Sequence, residues 1–98
     1  MKRLVLAPRA RADLFDLSAY LADRNPLAAE RLTERLIVAM QALTRTPLLG
    51  RKCDDLGLPM VRRLVVEKHH LFYVLDGSLV QVIRILHGRR DVASEIRA

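Results

Sequence analysis

The residues best suited to chemistry fall in one run near the end of the chain, Arg84-Ile85-Leu86-His87-Gly88-Arg89-Arg90-Asp91. An apolar stretch stops at a glycine and delivers guanidinium groups and an imidazole close together. Arginine forks grip phosphates and carboxylates through paired N–H donors, and backbone N–H groups in a glycine turn add to such a site. By residue type alone, His87 has the makings of a general base. The competing reading is that Asp91 neutralises one arginine and the rest is a solvated strand end. Elsewhere the chemistry is thinner. Cys53 stands beside Asp54 and Asp55, whose charge disfavours a thiolate. His69 and His70 are neighbours on a strand, so they point to opposite faces and do not form a metal pair. No catalytic set, metal site or cofactor is expected.

These residues belong to a chain of 98 amino acids, 51% hydrophobic and 29% charged. That composition describes one folded domain spanning residues 1–98. No apolar run approaches the roughly 20 residues that span a bilayer, and the stretch after Met1-Lys2-Arg3 is too short for a secretory signal. A single cysteine forms no internal disulfide, so a reducing cytoplasm is the expected setting. Lysine and arginine number 17 against 11 acids, a net charge of +6, and 14 of the 17 are arginine. An acidic partner suits that balance, although a genome that writes arginine for lysine would produce the same count.

The elements that position these residues follow from periodicity. Residues 3–7 are aliphatic and end at Pro8, a short strand. Ala10, Leu14, Leu17 and Leu21 then recur at helical spacing. Asn25-Pro26 reads as an N-cap with proline at the first helical position. It opens a second helix marked by Ala29, Leu32, Leu36, Met40 and Leu43. Glu30, Arg31, Glu34 and Arg35 form its solvated face, Met40 fills core, and Tyr20 on the first helix lies at the core edge. Residues 47–60, punctuated by Pro47, Gly50, Gly57 and Pro59, read as a loop. Val61–Val66, His69–Leu75 and Ser78–Leu86 read as strands. The fold class is therefore α+β: an N-terminal strand, an antiparallel helical hairpin and a three-stranded antiparallel sheet, with the helices on one face. The first strand joins the sheet beside a later one.

A two-residue Asp76-Gly77 turn predicts the pairs Tyr73–Val80, Leu71–Val82 and His69–Arg84. A tight turn at Glu67-Lys68 places Arg62 opposite Tyr73 and Leu64 opposite Leu71. One sheet face then carries Arg62, Leu64, Val66, His69, Leu71, Tyr73, Val80, Val82 and Arg84. The other carries Val61, Val65, Phe72, Val74, Leu79, Ile83 and Ile85. The second, more apolar set is expected against the helices. The first is expected to be open and covered by a second copy or another protein, unless residues 88–98 fold over it.

In order along the chain, Pro8 and Ala10, Asp13-Leu14, Tyr20, Asn25-Pro26 with Ala28-Ala29, Pro47 with Gly50-Arg51, Arg62 ahead of Phe72-Tyr73, and the closing Arg84–Asp91 run carry a resemblance. Over nearly its full length the sequence resembles the RelE/ParE superfamily of type II toxins, in the ParE-like branch. The resemblance implies a toxin silenced by a co-encoded antitoxin, ParD-like or similar, with DNA gyrase as the target and replication blocked. The alternative it implies is RelE-like, ribosome-dependent mRNA cleavage. That chemistry calls for proton transfer at a 2′-hydroxyl and stabilisation of phosphorane charge, which RelE-like toxins supply with lysines and arginines on the sheet and a tyrosine near the C-terminus. Here no tyrosine follows Tyr73, and Lys52 and Lys68 fall in expected loops. The sequence also departs from the ParE pattern, with Met60 and Glu67 where glycines are usual. The expected activity is binding without catalysis, through Arg62, Tyr73, Arg84, His87, Arg89 and Arg90. Direct contact with nucleic acid is expected only within a gyrase–DNA or ribosome complex. A hetero-oligomer with the antitoxin is expected, with pairing of two toxin chains left open.

Overall fold

The computed structural model describes residues 1–88 and 92–97. Strand β1 (Arg3–Leu6) leads into α1 (Pro8–Arg24) and α2 (Pro26–Arg45). Then come β2 (Arg51–Cys53), a 3-10 turn (Asp54–Leu56), β3 (Leu58–Val66), β4 (His69–Asp76), β5 (Leu79–His87) and α3 (Val92–Arg97). The five strands form one sheet in the order β1-β5-β4-β3-β2, with β1 parallel to β5 and the other pairs antiparallel. The architecture is the α+β one expected, with one more strand. β2 lies inside the stretch read as a loop, because three residues, two of them charged, show no periodicity.

The helical hairpin turns on Asn25, whose side chain accepts from the Ala28 N–H at 3.1 Å. With Pro26 next, the second helix starts without an orphaned donor where proline is tolerated. The two helices do unequal work. Leu32, Leu36, Met40 and Leu43 of α2 are buried, whereas Ala10 is the one fully buried residue of α1. At about 1.5–3 kcal/mol per buried aliphatic side chain, α2 anchors the hairpin. Leu14, Leu17 and Leu21 of α1 are only partly buried where they pack against the core.

The expected assignment of faces is reversed. Leu71, Tyr73, Val80 and Val82, with Leu64 and Val66, pack against the helices. Val61, Phe72, Val74 and Ile83 face the other way, in a second cluster with Cys53, Leu56 and Ile96 of α3. Both faces are apolar enough to be buried, so composition does not choose between them. Tyr73 and Arg62 belong on the helix side because their polar ends find partners in the loop after α2. The second face is covered in part by the 3-10 turn and α3 within the chain itself.

The hairpin register also differs. The β4–β5 turn is Gly77-Ser78, because φ of +56° falls on Gly77 and a primed hairpin turn needs a positive φ at its first central residue. Leu75 therefore pairs with Val80 and Tyr73 with Val82. A bulge follows: Phe72 pairs with Arg84 and Ile83 has no partner. One extra residue turns every later side chain of β5 to the opposite face. Ile85 thus joins Leu71 on the helix side, and His69 lies opposite His87 instead of Arg84. On the other side, Arg62 pairs with Tyr73 and Leu64 with Leu71 as the tight Glu67-Lys68 turn requires. Glu67 adopts the left-handed φ of +57° that a glycine would take at no cost.

Candidate functional site

Two hydrogen-bonded locks organise the surface, one at each side of the sheet. The first arises because β1 is short. It pairs β5 only over Leu79–Val82, and its last rung is the Ala7 N–H to the Val82 carbonyl at 2.8 Å. Pro8 then starts α1, which leaves the next stretch of β5 without a strand neighbour on that side. Asp13 of α1 fills the gap. Its Oδ2 accepts from the Ile85 backbone N–H at 2.9 Å and from Arg84 Nε at 2.7 Å, while Oδ1 accepts from Arg84 Nη2 at 3.0 Å. Arg84 Nη1 donates to the Glu95 carbonyl at 2.9 Å, and Glu95 Oε2 lies 3.6 Å from Nη2. The guanidinium, in a residue only 7% exposed, therefore ties α1, β5 and α3 together. Hydrogen bonding to Asp13 raises its pKa above the usual arginine value. Its fork is occupied within the monomer.

Beside this lock runs a groove of about 580 Å³, lined by Asp13, Asp16 and Tyr20 of α1 and by His69, Ile85 and His87 of the sheet. The His69 and His87 rings meet edge to face at 5.4 Å. Burial first, and then the adjacent His87, push the His69 imidazole below its ordinary pKa. Burial followed by Arg63 does the same to His70 on the opposite face. Both shifts favour the neutral imidazole. Tyr20, at the groove wall, is 57% exposed, and Phe15, elsewhere on α1, is 73% exposed. Tyr20 is thus off the core edge where it was expected, with the Arg24 guanidinium 3.7 Å above its ring.

The second lock lies where α2 meets β2. Tyr73 is fully buried, and its hydroxyl donates to the Pro47 carbonyl at 2.8 Å while accepting from the Gly50 N–H at 2.8 Å. Arg62 Nη1 donates to the Gly50 carbonyl at 2.8 Å. A Cβ on Gly50 would stand 2.7 Å from the tyrosine hydroxyl and 2.9 Å from the Arg63 carbonyl, so only glycine fits. Leu48 and Leu49 are held outward by this clasp.

Of the residues singled out from sequence, the structure sets Arg84 in the first lock, His87 at the groove, and Arg62 with Tyr73 in the second lock. Arg89 and Arg90 lie outside the described residues. Cys53 is buried, and burial raises its thiol pKa, Arg63 opposing and Asp55 and Asp54 adding to the rise. Periodicity sets Asp13, with Asp16 and Asp23, mostly off the apolar stripe of the first helix, and the structure corrects this for Asp13, which faces Arg84 and Ile85. Its signal was present, since Ala10, Asp13, Leu14, Leu17 and Leu21 together fill the i, i+3, i+4, i+7 and i+11 positions of a core-facing stripe. An acid there needs a buried partner. Among the described residues, no three His, Cys, Asp or Glu side chains gather as a metal site, and no helix is long and apolar enough to cross a membrane.

Residues 4–92 match the family model described as the ParE toxin of type II toxin–antitoxin systems. The chain belongs to the ParE toxin family. It is a type II toxin of the RelE/ParE superfamily. It is similar to Toxin RelE2 of Caulobacter vibrioides, 38% identical over 92% of this chain and 99% of that protein. It is also similar to Toxin ParE1 of Mycobacterium tuberculosis, 35% identical over 92% of this chain and 93% of that protein. The fold matches a chain of the chromosomal ParDE system from P. aeruginosa with a TM-score of 0.76 at 20% identity, covering 89% of this chain and 96% of that one. It also matches a chain of the RelBE2 toxin–antitoxin complex from Mycobacterium tuberculosis, with a TM-score of 0.68 at 21% identity over 88% and 96% of the two chains.

Proposed function

We propose that this ParE-family toxin blocks replication by binding DNA gyrase, breaks no bond itself, and is silenced in the cytoplasm by a co-encoded ParD-like antitoxin. The observation that carries this reading is the engagement of the groups a nuclease would need. The Tyr73 hydroxyl is buried between Pro47 and Gly50, Arg62 is bonded to Gly50, and Arg84 is bonded to Asp13 and Glu95. None of the three is poised to move a proton at a ribose or to meet phosphorane charge. They act by holding surfaces in place, while His87, Arg89 and Arg90 supply contacts.

The groove beside α1 suits the antitoxin. It is concave, and the half-exposed ring of Tyr20 on α1 supplies apolar surface at its wall. An amphipathic segment lying there buries apolar surface on both partners. The net charge of +6 favours an acidic one. Purified toxin added to a gyrase supercoiling reaction is expected to inhibit supercoiling or to trap cleaved DNA at micromolar concentration. Unaffected gyrase, with codon-phased cuts in mRNA on translating ribosomes, overturns this reading in favour of the nuclease.

A further inference from the structure

The groove is concave, whereas the second lock produces a convex feature. The Leu49 N–H bonds to the Thr46 carbonyl at 3.1 Å, closing a turn on which Leu48 and Leu49 remain 64% and 50% exposed. Adjacent leucines this exposed lose free energy in water unless something covers them. The turn is also tied down: Tyr73 holds it at Pro47 and Gly50, Arg62 holds the Gly50 carbonyl, and Gly50 packs so close to Tyr73 that no side chain fits there. Around it stand exposed cations. Arg45 precedes the turn, and Arg51 and Lys52 follow on β2, an edge strand of the sheet. None of these three makes an ion pair with a described residue.

We propose that the turn Thr46–Leu49, with Arg51 and Lys52 beside it, inserts into a concave, acid-rimmed site on the folded protein that the toxin acts on. The inference rests on the reading that the target is a protein, though not on that protein being gyrase. The shape argues for a folded partner. A rigid protrusion has little ordering entropy to lose, and it requires a preformed cavity on the other side. A flexible antitoxin segment gains more from a groove, where it is surrounded. The chemistry argues against nucleic acid, because the tip is aliphatic and single strands are held by aromatic stacking. It argues against a two-fold pairing of this tip with its own copy, because Arg51 and Lys52 would then face like charges.

The test uses the full-length toxin with three readouts: growth arrest on induced expression, affinity for the cognate antitoxin, and thermal unfolding. Two double variants, L48S/L49S and R51E/K52E, change exposed side chains and are expected to unfold within a few degrees of wild type. Each is expected to weaken growth arrest by at least about tenfold, the effect of losing an interface anchor, while antitoxin affinity changes less than about threefold. Full growth arrest by both variants overturns the inference, as does an equal loss of antitoxin binding. If wild-type toxin arrests growth without touching gyrase, the gyrase reading falls, and the same variants still test whether this tip meets the actual target. Wild-type toxin that arrests nothing overturns both.

Discussion

The two locks solve opposite problems with different chemistry. At the β5 side the sheet has lost a neighbour, and a charged group, Asp13, repairs the edge while fixing a buried arginine. At the β2 side a neutral hydroxyl, that of Tyr73, holds a loop against the core. The charged lock joins three elements and leaves a groove. The lock on the Tyr73 hydroxyl, with Arg62 beside it, joins β4 and β3 to one turn, on which Leu48 and Leu49 stay exposed. The difference teaches where each kind of failure should spread. A buried ion pair with one partner removed leaves an unpaired charge, whereas a lost hydroxyl leaves two backbone groups that nearby water can partly satisfy.

Replacing Asp13 with Ala should therefore do the most damage. It strands the Arg84 guanidinium and orphans the Ile85 N–H, at a cost of about 3–5 kcal/mol, and denaturant unfolding should show it. A loss below about 1 kcal/mol would mean that Glu95 alone suffices for Arg84. Gly50→Ala comes next, at about 1–3 kcal/mol for overpacking against Tyr73 and the Arg63 carbonyl. Tyr73→Phe keeps the ring and removes both hydrogen bonds, for about 1–2 kcal/mol. It should also speed hydrogen exchange at Gly50 while leaving Ile85 protected. If the Ile85 amide also loses protection, the locks are coupled and the contrast fails.

The start of β4, with His69 at the groove and His70 on the opposite face, adds a pH dependence on the acid side of neutrality. His69 and His70 have folded pKa values below the ordinary histidine value, so the unfolded chain binds more protons as pH falls through about 6.5. Stability is complete above that value and declines below it, until the depressed folded pKa values are reached. The melting temperature should drop between pH 7 and 5, and a H69N/H70N variant should lose much of that drop. Glu67→Gly should have the smallest effect. Relief of the left-handed φ is worth roughly 1 kcal/mol. Against it stands the exposed Arg35–Glu67 pair at 2.7 Å, worth roughly 0.2–1 kcal/mol. A slight net gain in thermal stability is the expected result.

The helices, their Asn25-Pro26 junction and the three long strands were legible because their signals are local: period, cap and turn residues within a few positions of one another. The resemblance to the RelE/ParE superfamily was legible for a similar reason, since its motifs are short runs in a fixed order. The site was less so. Register beyond Phe72 depends on a bulge that no residue type announces, and that bulge turned Ile85 toward the helices and set His87 opposite His69. Which sheet face meets the hairpin was also hidden, because both are apolar and only the partners available to Tyr73 and Arg62 break the tie.

The amino-acid order alone thus determined the α+β element sequence, the hairpin of helices and the surplus of arginine, all properties of neighbours along the chain. Only the tertiary structure decided that Arg84 turns inward to Asp13 while Leu48 and Leu49 point outward. Those outcomes depend on where β1 runs out and on which polar group a buried hydroxyl can reach. Both are distances between residues remote in sequence, and they are set only once the sheet is assembled.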